Sequence, residues 1–245
     1  GHLSRGFKPV YWCENCLSAL AEAEVEYVEK ESNAIDFLFP VDSKSLDKVF
    51  NSKTKYDCYV ASWTTTPWTI PANKAISVNP DLDYELIELE VNKRKFSLVV
   101  ASSLKEKTLE RYAVTKHNSL GKISGKKLEG IVCKHPLLNQ ESPIILGTHV
   151  TDEMGTGLVH TAPAHGIEDY ESCKNYDFDS SSLVQAEGKF AKDTPFVGGK
   201  NLEEANEIVI EELNKIKLLF SKNKFRHSFP HCWRHKTPLF FRATP

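Results

Sequence analysis

Residues Trp63–Asn73 read WTTTPWTIPAN: three consecutive threonines, two tryptophans and two prolines in one short stretch. The residues leading into it, DCYVASW (57–63), have the apolar and aromatic character of a strand. The threonines continue that preference, because a β-branched side chain is restricted at χ1. Pro67 has no N–H to offer a ladder, so the strand must end there, and Pro71 stiffens the turn that follows. Alternate strand residues face opposite sides, so Thr64 and Thr66 share one face and Thr65 takes the other unless the strand bends. Three hydroxyls thus stand at a strand end on a rigid loop, where a polar ligand or a water can be fixed. Trp63 and Trp68 can wall an apolar pocket there. The plain alternative is that threonines simply favour strands.

A second dense stretch, GTGLVHTAPAHGIEDY, runs from Gly155 to Tyr170. Leu158-Val159 reads as a buried strand ending at His160, Pro163 to Gly166 as a loop, and Glu168 and Asp169 fall in the first turn of a helix. Carboxylates there are favoured by the helix dipole alone. The density is what suggests chemistry: His160, His165, Glu168 and Asp169 crowd one strand–loop–helix unit, and an ionised carboxylate beside a loop suits capture of an ammonium group.

Strand-like runs dominate the remainder. Alternation at Ala21, Ala23, Val25 and Tyr27, and again at Ile35, Phe37 and Phe39, marks two strands. DYELIELEV and KFSLVVAS (83–102) read as a hairpin, KISGKKLEGIVC (122–133) as turn-rich and extended, and PIILGTHV (143–150) and GLVHTAP (157–163) as strands. Helices are expected over 44–50, opened by Ser43 or Ser45; over 102–113, capped by Ser102 or Ser103; from Gly166, with Ile167, Tyr170 and Cys173 on one stripe; and over 202–219, with Leu202, Ala205, Val209, Leu213 and Ile216 facing inward. The reading is α+β, mainly β: a mixed β-barrel-like core with peripheral helices.

The chain has 245 residues, 40% hydrophobic and 26% charged, with a net charge of −2. This composition suits a soluble globular domain, and the near-neutral balance makes any nucleic-acid contact local. Lys122, Lys126 and Lys127, and Lys215, Lys217, Lys222 and Lys224, are clusters that either touch phosphate or form solvated faces. No apolar run reaches membrane-spanning length and no leader is evident, so the expectation is a cytoplasmic protein with no membrane contact. Gly1-His2 resembles a scar of tag removal. The extended tail KFRHSFPHCWRHKTPLFFRATP (224–245) is expected to continue into a longer protein. The scatter of Cys13, Cys16, Cys58, Cys133, Cys173 and Cys232 fits reduced thiols and no disulfide scaffold.

Taken together, WTTTPWTIPANKAISVNP (63–80) and GTGLVHTAPAHGIEDY resemble the two editing-site segments of the class I isoleucyl-tRNA synthetases. KPVYWCENCLSALAEAEVEY (8–27) and HCWRHKTPLFFRATP (231–245) resemble the stems that join this insert to the catalytic core. Sister enzymes for valine and leucine carry an arginine where Thr66 stands, which favours the isoleucine enzyme of bacterial or organellar type. The resemblance implies an editing domain over 31–224, with stem segments at 1–30 and 225–245. It implies hydrolysis of misactivated or mischarged valine, as valyl-adenylate or valyl-tRNA, with isoleucine excluded. Thr64, Thr65 and Thr66 would line the pocket and hold substrate and water, and Asp169 would bind the amino group. Trp63 would form a wall, Asn73 would end the peptide, and His160 would limit side-chain size. His165 and Glu168 would lie beside the substrate, Glu168 where many relatives carry another acid. Partners would be the tRNA(Ile) 3′ end and the rest of a monomeric synthetase chain, and no cofactor is needed for editing.

Cys13-x-x-Cys16 and Cys232-x-x-His235 together make a Cys₃His set, a candidate structural zinc site if both ends meet in a stem. The alternative is unrelated thiols in a connector. Several enzyme classes lack their signatures here: a nucleobase deaminase needs His-x-Glu, a zincin His-Glu-x-x-His, a hydrolase elbow Gly-x-Ser-x-Gly. GKISGKK (121–127) fails phosphate-loop spacing. The family's HIGH and KMSKS signatures are absent, so no adenylate synthesis is expected. A non-catalytic tRNA-docking module with a zinc-bound stem is the rival reading.

Overall fold

The computed structural model describes residues 6–114 and 116–244; Gly1-His2 lies outside them. In chain order these residues form β1 (Lys8–Cys13), β2 (Ser18–Leu20), β3 (Val25–Val41), α1 (Ser43–Phe50), β4 (Cys58–Thr64), β5 (Ala75–Val78), β6 (Asp83–Val91), β7 (Arg94–Ala101), α2 (Lys105–Arg111), β8 (His117–Ser124), β9 (Val132–Lys134), β10 (Glu141–Leu146), β11 (Leu158–Thr161), α3 (Ile167–Cys173), α4 (Leu202–Lys215), β12 (Leu219–Cys232) and β13 (Phe240–Thr244). The fold is α+β and dominated by sheet. The large sheet runs β11-β5-β10-β9-β3-β4-β7-β6-β8, with β12 also paired to β3; a small sheet runs β13-β1-β2. No ladder among the described residues joins β11 to β8, so the large sheet is not a closed barrel. It curls nonetheless: Ser62 Oγ on β4 donates to Leu158 O and accepts from His160 N–H, each at 2.9 Å, laying β11 across β4.

β3 is the spine. The two alternations expected as separate strands end up largely within this one strand, with Glu22–Glu24 forming a 3₁₀ turn just ahead of it. Its first half pairs with β12 in a long ribbon from Val25↔Cys232 to Phe37↔Leu219. That ribbon runs unbroken past positions 30 and 225. Its second half pairs with β4 and is enclosed on both faces, so Ala34 to Phe39 are all buried. A strand covered on both sides needs no polar alternation. Phe37, Phe39, Tyr84, Phe96 and Phe190 are among the largest wholly buried side chains.

Local chemistry corrects several expected helix ends. Asp42, one residue earlier than Ser43, caps α1 by accepting from Ser45 N–H at 3.2 Å. Ser102–Leu104 make a 3₁₀ turn, and α2 follows with no side-chain cap. On α4, Ile216 sits just past the last turn and is 49% exposed, while Ile210 is buried. Lys122, Lys215, Lys222 and Lys224 lie within ion-pair distance of Asp83, Glu212, Glu207 and Glu31. No helix among the described residues is long and apolar enough to cross a membrane.

One buried charge is held inside the spine. Asp36 is 1% exposed. Arg111 clasps it with Nε at 3.1 Å and Nη2 at 2.8 Å, while Tyr112 Oη and Ser221 Oγ donate at 3.0 and 2.9 Å. Arg111 Nη2 also reaches Gly155 O at 3.0 Å, which ties α2 to the turn entering β11. Removing one partner of such a pair leaves an uncompensated buried charge, at a cost of about 3 kcal/mol or more. Arg111→Met is therefore expected to lower unfolding stability by about 3 kcal/mol, read as a lower urea midpoint.

Candidate functional site

The threonine stretch leaves β4 at Thr64 and winds through a 3₁₀ turn, Pro67–Ala72, that starts on proline because a first-turn N–H has no partner to lose. Thr64 Oγ1 lies 3.3 Å from Thr66 Oγ1 and accepts from Thr66 N–H at 3.0 Å, so these two hydroxyls do share a side. Thr64 is buried, whereas Trp63, Thr65 and Thr66 are half-buried at the loop edge. α4 holds the loop from outside through Asn206 Oδ1, which accepts from Trp68 N–H at 2.9 Å.

The second stretch meets the first through His160. β11 pairs antiparallel with β5, and Lys74 N–H donates to Thr161 O at 3.0 Å, so the exit of one loop abuts the entrance of the other. The hydrogen bonds fix the imidazole's tautomer. Ser142 Oγ–H donates to Asn73 Oδ1 at 2.6 Å, which leaves Asn73 Nδ2 as donor to His160 Nδ1 at 2.8 Å. His160 Nε2–H then donates to Thr69 Oγ1 at 2.8 Å, and Thr69 Oγ–H donates to Thr66 O, also at 2.8 Å. Asn73 is wholly buried and its amide is spent on protein partners, among them Ala75 O. It acts on the site by orienting His160.

Asp169 curls back from α3 so that Oδ2 accepts from Ala162 N–H at 2.8 Å. Its side chain is 19% exposed. Burial pushes the carboxyl up to about 7; the Ala162 N–H opposes this and the Glu168 charge adds to it. Glu168 itself is exposed. His165 is buried: Nδ1–H donates to Phe241 O at 3.0 Å and the ring lies edge-on to Trp68, with centroids 4.9 Å apart. With Ala243 N–H donating to Ala164 O at 2.9 Å, the 162–166 loop is bolted to β13. Two open clefts, of about 660 and 260 Å³, lie elsewhere, one along Pro40 to Tyr59 and one beside Phe7, Tyr170 and Cys173; neither is lined by the threonines or Asp169.

Sequence reasoning overlooked Thr69 and His135. His135 Nε2–H donates to Ile70 O at 2.8 Å, and its Nδ1 accepts from Leu137 and Leu138 N–H, both at 3.0 Å. The available signal was a histidine directly before a proline, a place where a ring nitrogen can cap a turn.

The four expected metal ligands do converge. Donor atoms of Cys13, Cys16, Cys232 and His235 all lie within 4.8 Å of one another. Cys16 Sγ is 3.8 Å from Cys232 Sγ and 3.2 Å from His235 Nδ1. Sulfurs about 2.3 Å from one tetrahedral ion stand close to that far apart, so the donor set and its spacing fit zinc.

The family profile described as "Leucyl-tRNA synthetase, editing domain" matches residues 43–217. The chain belongs to the editing-domain family of the aminoacyl-tRNA synthetases. The matched residues run from α1 to just past α4 and leave out β1 to β3, β12 and β13. The isoleucine–tRNA ligase of Francisella tularensis subsp. tularensis (strain WY96-3418) is 47% identical over 247 residues, covering 100% of this chain and 26% of the relative. That of Francisella philomiragia is 48% identical over 246 residues with the same coverage. The chain thus spans about a quarter of the length of these curated relatives, at 26%. Among solved structures, the editing domain of the P. knowlesi cytosolic leucyl-tRNA synthetase aligns with TM-score 0.60 at 12% identity, over 79% of this chain and 97% of that one. The P. falciparum counterpart gives 0.59 at 11%, over 78% and 99%. At such identities the likeness is one of fold.

The buried imidazoles of this editing domain set an acid limit on its stability. Burial lowers His160 to about 3, and His135 and His165 to about 4 each. Groups with depressed folded pKa stabilise above the unfolded value and lose that contribution as pH falls toward the folded one. Asp169 runs the other way, because a carboxyl raised in the folded state gains stability as pH falls through about 7. Three imidazoles outweigh one carboxyl, so stability should drop by on the order of 3 kcal/mol between pH 7 and pH 5, measured by urea unfolding at each pH.

Proposed function

We propose that this editing domain hydrolyses the ester joining valine to the 3′-terminal adenosine of tRNA(Ile), and valyl-adenylate, while excluding isoleucine. The observation that carries the reading is the His160 junction: it binds the hydroxyl-bearing loop to the segment whose enclosed carboxylate, Asp169, suits an ammonium guest. One methylene separates valine from isoleucine, and the isoleucine enzyme is itself the standard case in which a single apolar pocket discriminates too weakly. A second chamber that admits only the smaller side chain resolves this, and the rigid His160 imidazole is suited to form its wall.

In the reaction, Asp169 holds the substrate ammonium. The cation favours the ionised carboxylate, offsetting the burial that holds its pKa near 7. Thr65 and Thr66, half-buried at the loop edge, and main-chain N–H groups hold a water against the ester carbonyl. The water oxygen bonds to the carbonyl carbon and gives up a proton, the acyl carbon–ribose oxygen bond breaks, and that proton passes to the departing oxygen, relayed by the neighbouring ribose hydroxyl. Since every imidazole at this junction is buried and neutral, rate enhancement comes mainly from positioning. No cofactor takes part. Residues 1–30 and 225–245 act as stems to the rest of a monomeric, cytoplasmic synthetase, and 31–224 carries the editing unit.

Single-turnover assays with the full-length synthetase should show release of valine from mischarged tRNA and retention of isoleucine. Asp169→Ala should slow valine release by at least a hundredfold, in line with loss of the group that orients the substrate; normal hydrolysis by that variant would leave only the docking-module reading. Cys13, Cys16, Cys232 and His235 would hold zinc as a structural ion that fastens the two stems. Purified protein should carry one zinc per chain by elemental analysis, and Cys232→Ser should lose it together with thermal stability.

A further inference from the structure

His149 stands on the turn after β10 and has no part in the site described so far. Its Nδ1 is 3.1 Å from Ser172 Oγ, one helical turn beyond Asp169 on α3. Its Nε2 faces Asp169 Oδ1 at 3.9 Å and, although buried, has no hydrogen-bond partner among the described residues. The ring can lie there because position 147 is glycine: a Cβ at that point would come within 2.7 Å of the imidazole Cε1. Asp169 mirrors the arrangement, since Oδ2 has the Ala162 N–H while Oδ1, with no hydrogen bond among the described residues, faces this unspent nitrogen. A separation of 3.9 Å is too long for a hydrogen bond, and an unpaired buried nitrogen is costly. A closing shift of about 1 Å would satisfy both atoms at once.

Resting on the proposed function, we infer that His149 is a positioning residue for Asp169: Ser172 Oγ–H donates to Nδ1, this fixes the Nε2–H tautomer, and Nε2–H donates to Oδ1 as the guest ammonium draws the carboxylate inward. With one donor on each oxygen, the carboxylate is fixed in plane and presents its remaining lone pairs to the cation. Asp169 is faced by Glu168 and Cys173 from its own helix, by the Ala162 N–H from the loop after β11, and by His149 from the turn after β10. Burial lowers the His149 pKa while Glu168 opposes this, so at neutral pH the imidazole acts as an uncharged donor. A donor to the charged form holds a carboxyl pKa down, so losing it raises the pH below which Asp169 is protonated and idle.

The test is single-turnover hydrolysis of valyl-tRNA by the full-length synthetase across roughly pH 5.5 to 9. His149→Leu should move the acid limb up by about one pH unit, a loss of about tenfold below the limb with the alkaline plateau unchanged. His149→Gln, which keeps an N–H of similar reach, should recover most of the shift. A folded His149→Leu protein whose limb does not move, or whose rate falls equally at every pH, overturns the inference. If that variant does not fold, Ser172→Ala carries the test: freeing Nδ1 should move the limb the same way by a smaller step, and an unmoved limb overturns it. Asp169→Ala separates the two levels. Normal hydrolysis in that variant defeats the functional reading and this inference together, whereas an inactive Asp169→Ala beside an unmoved His149→Leu limb defeats only this inference.

Discussion

A single neutral imidazole, hydrogen-bonded on both edges, joins the halves of the candidate site. His160 accepts from Asn73 and donates to Thr69, so its ring cannot rotate or take a proton without breaking a bond. Burial, with smaller contributions from His135 and His165, lowers its pKa to about 3 and keeps the ring neutral. The ring's hold extends to both ends of the loop, because Thr69 passes the bond on to Thr66 O and Ser142 anchors Asn73 from β10. The site is thus built on interlocking polar contacts within a sheet-dominated core, where each lost partner leaves another group unsatisfied.

Two enclosed carboxylates show how environment divides similar groups between support and chemistry. Asp36 has a guanidinium and two hydroxyls spent on it, which makes it a fixed strut between β3, α2 and β12. Among the described residues Asp169 has one main-chain donor and no lysine or arginine partner; burial pushes it up to about 7, and it is left receptive to a positive guest. A group with its partners already supplied is structural, and one left short of partners beside a loop is a place for a ligand.

Much of this was legible in the sequence, and the reasons differ by feature. The strand-and-proline logic of Cys58 to Pro71 and the apolar stripe of α4 follow from local physics, and the structure has both. The Cys₃His set was legible because ligand types and spacing survive a long separation along the chain. Thr69 and His149 were not, since each acts through a partner distant in the chain, whereas His135 carried only the signal of the proline that follows it. Asp36 was hidden inside a strand enclosed on both faces, where alternation carries no information. Asp42 lost out to its serine neighbours because both residue types cap helices and only geometry decides between them.

β1 and β13 lie side by side, with Lys8 opposite Thr244. A polypeptide entering at one and leaving at the other passes through a single doorway no wider than a strand pair. A unit with that geometry can be spliced into a surface turn of a host fold while asking the host to open by no more than a hairpin would. Because β13 also grips the loop ahead of Asp169 through Phe241 and Ala243, the doorway is mechanically joined to the segment that carries the carboxylate.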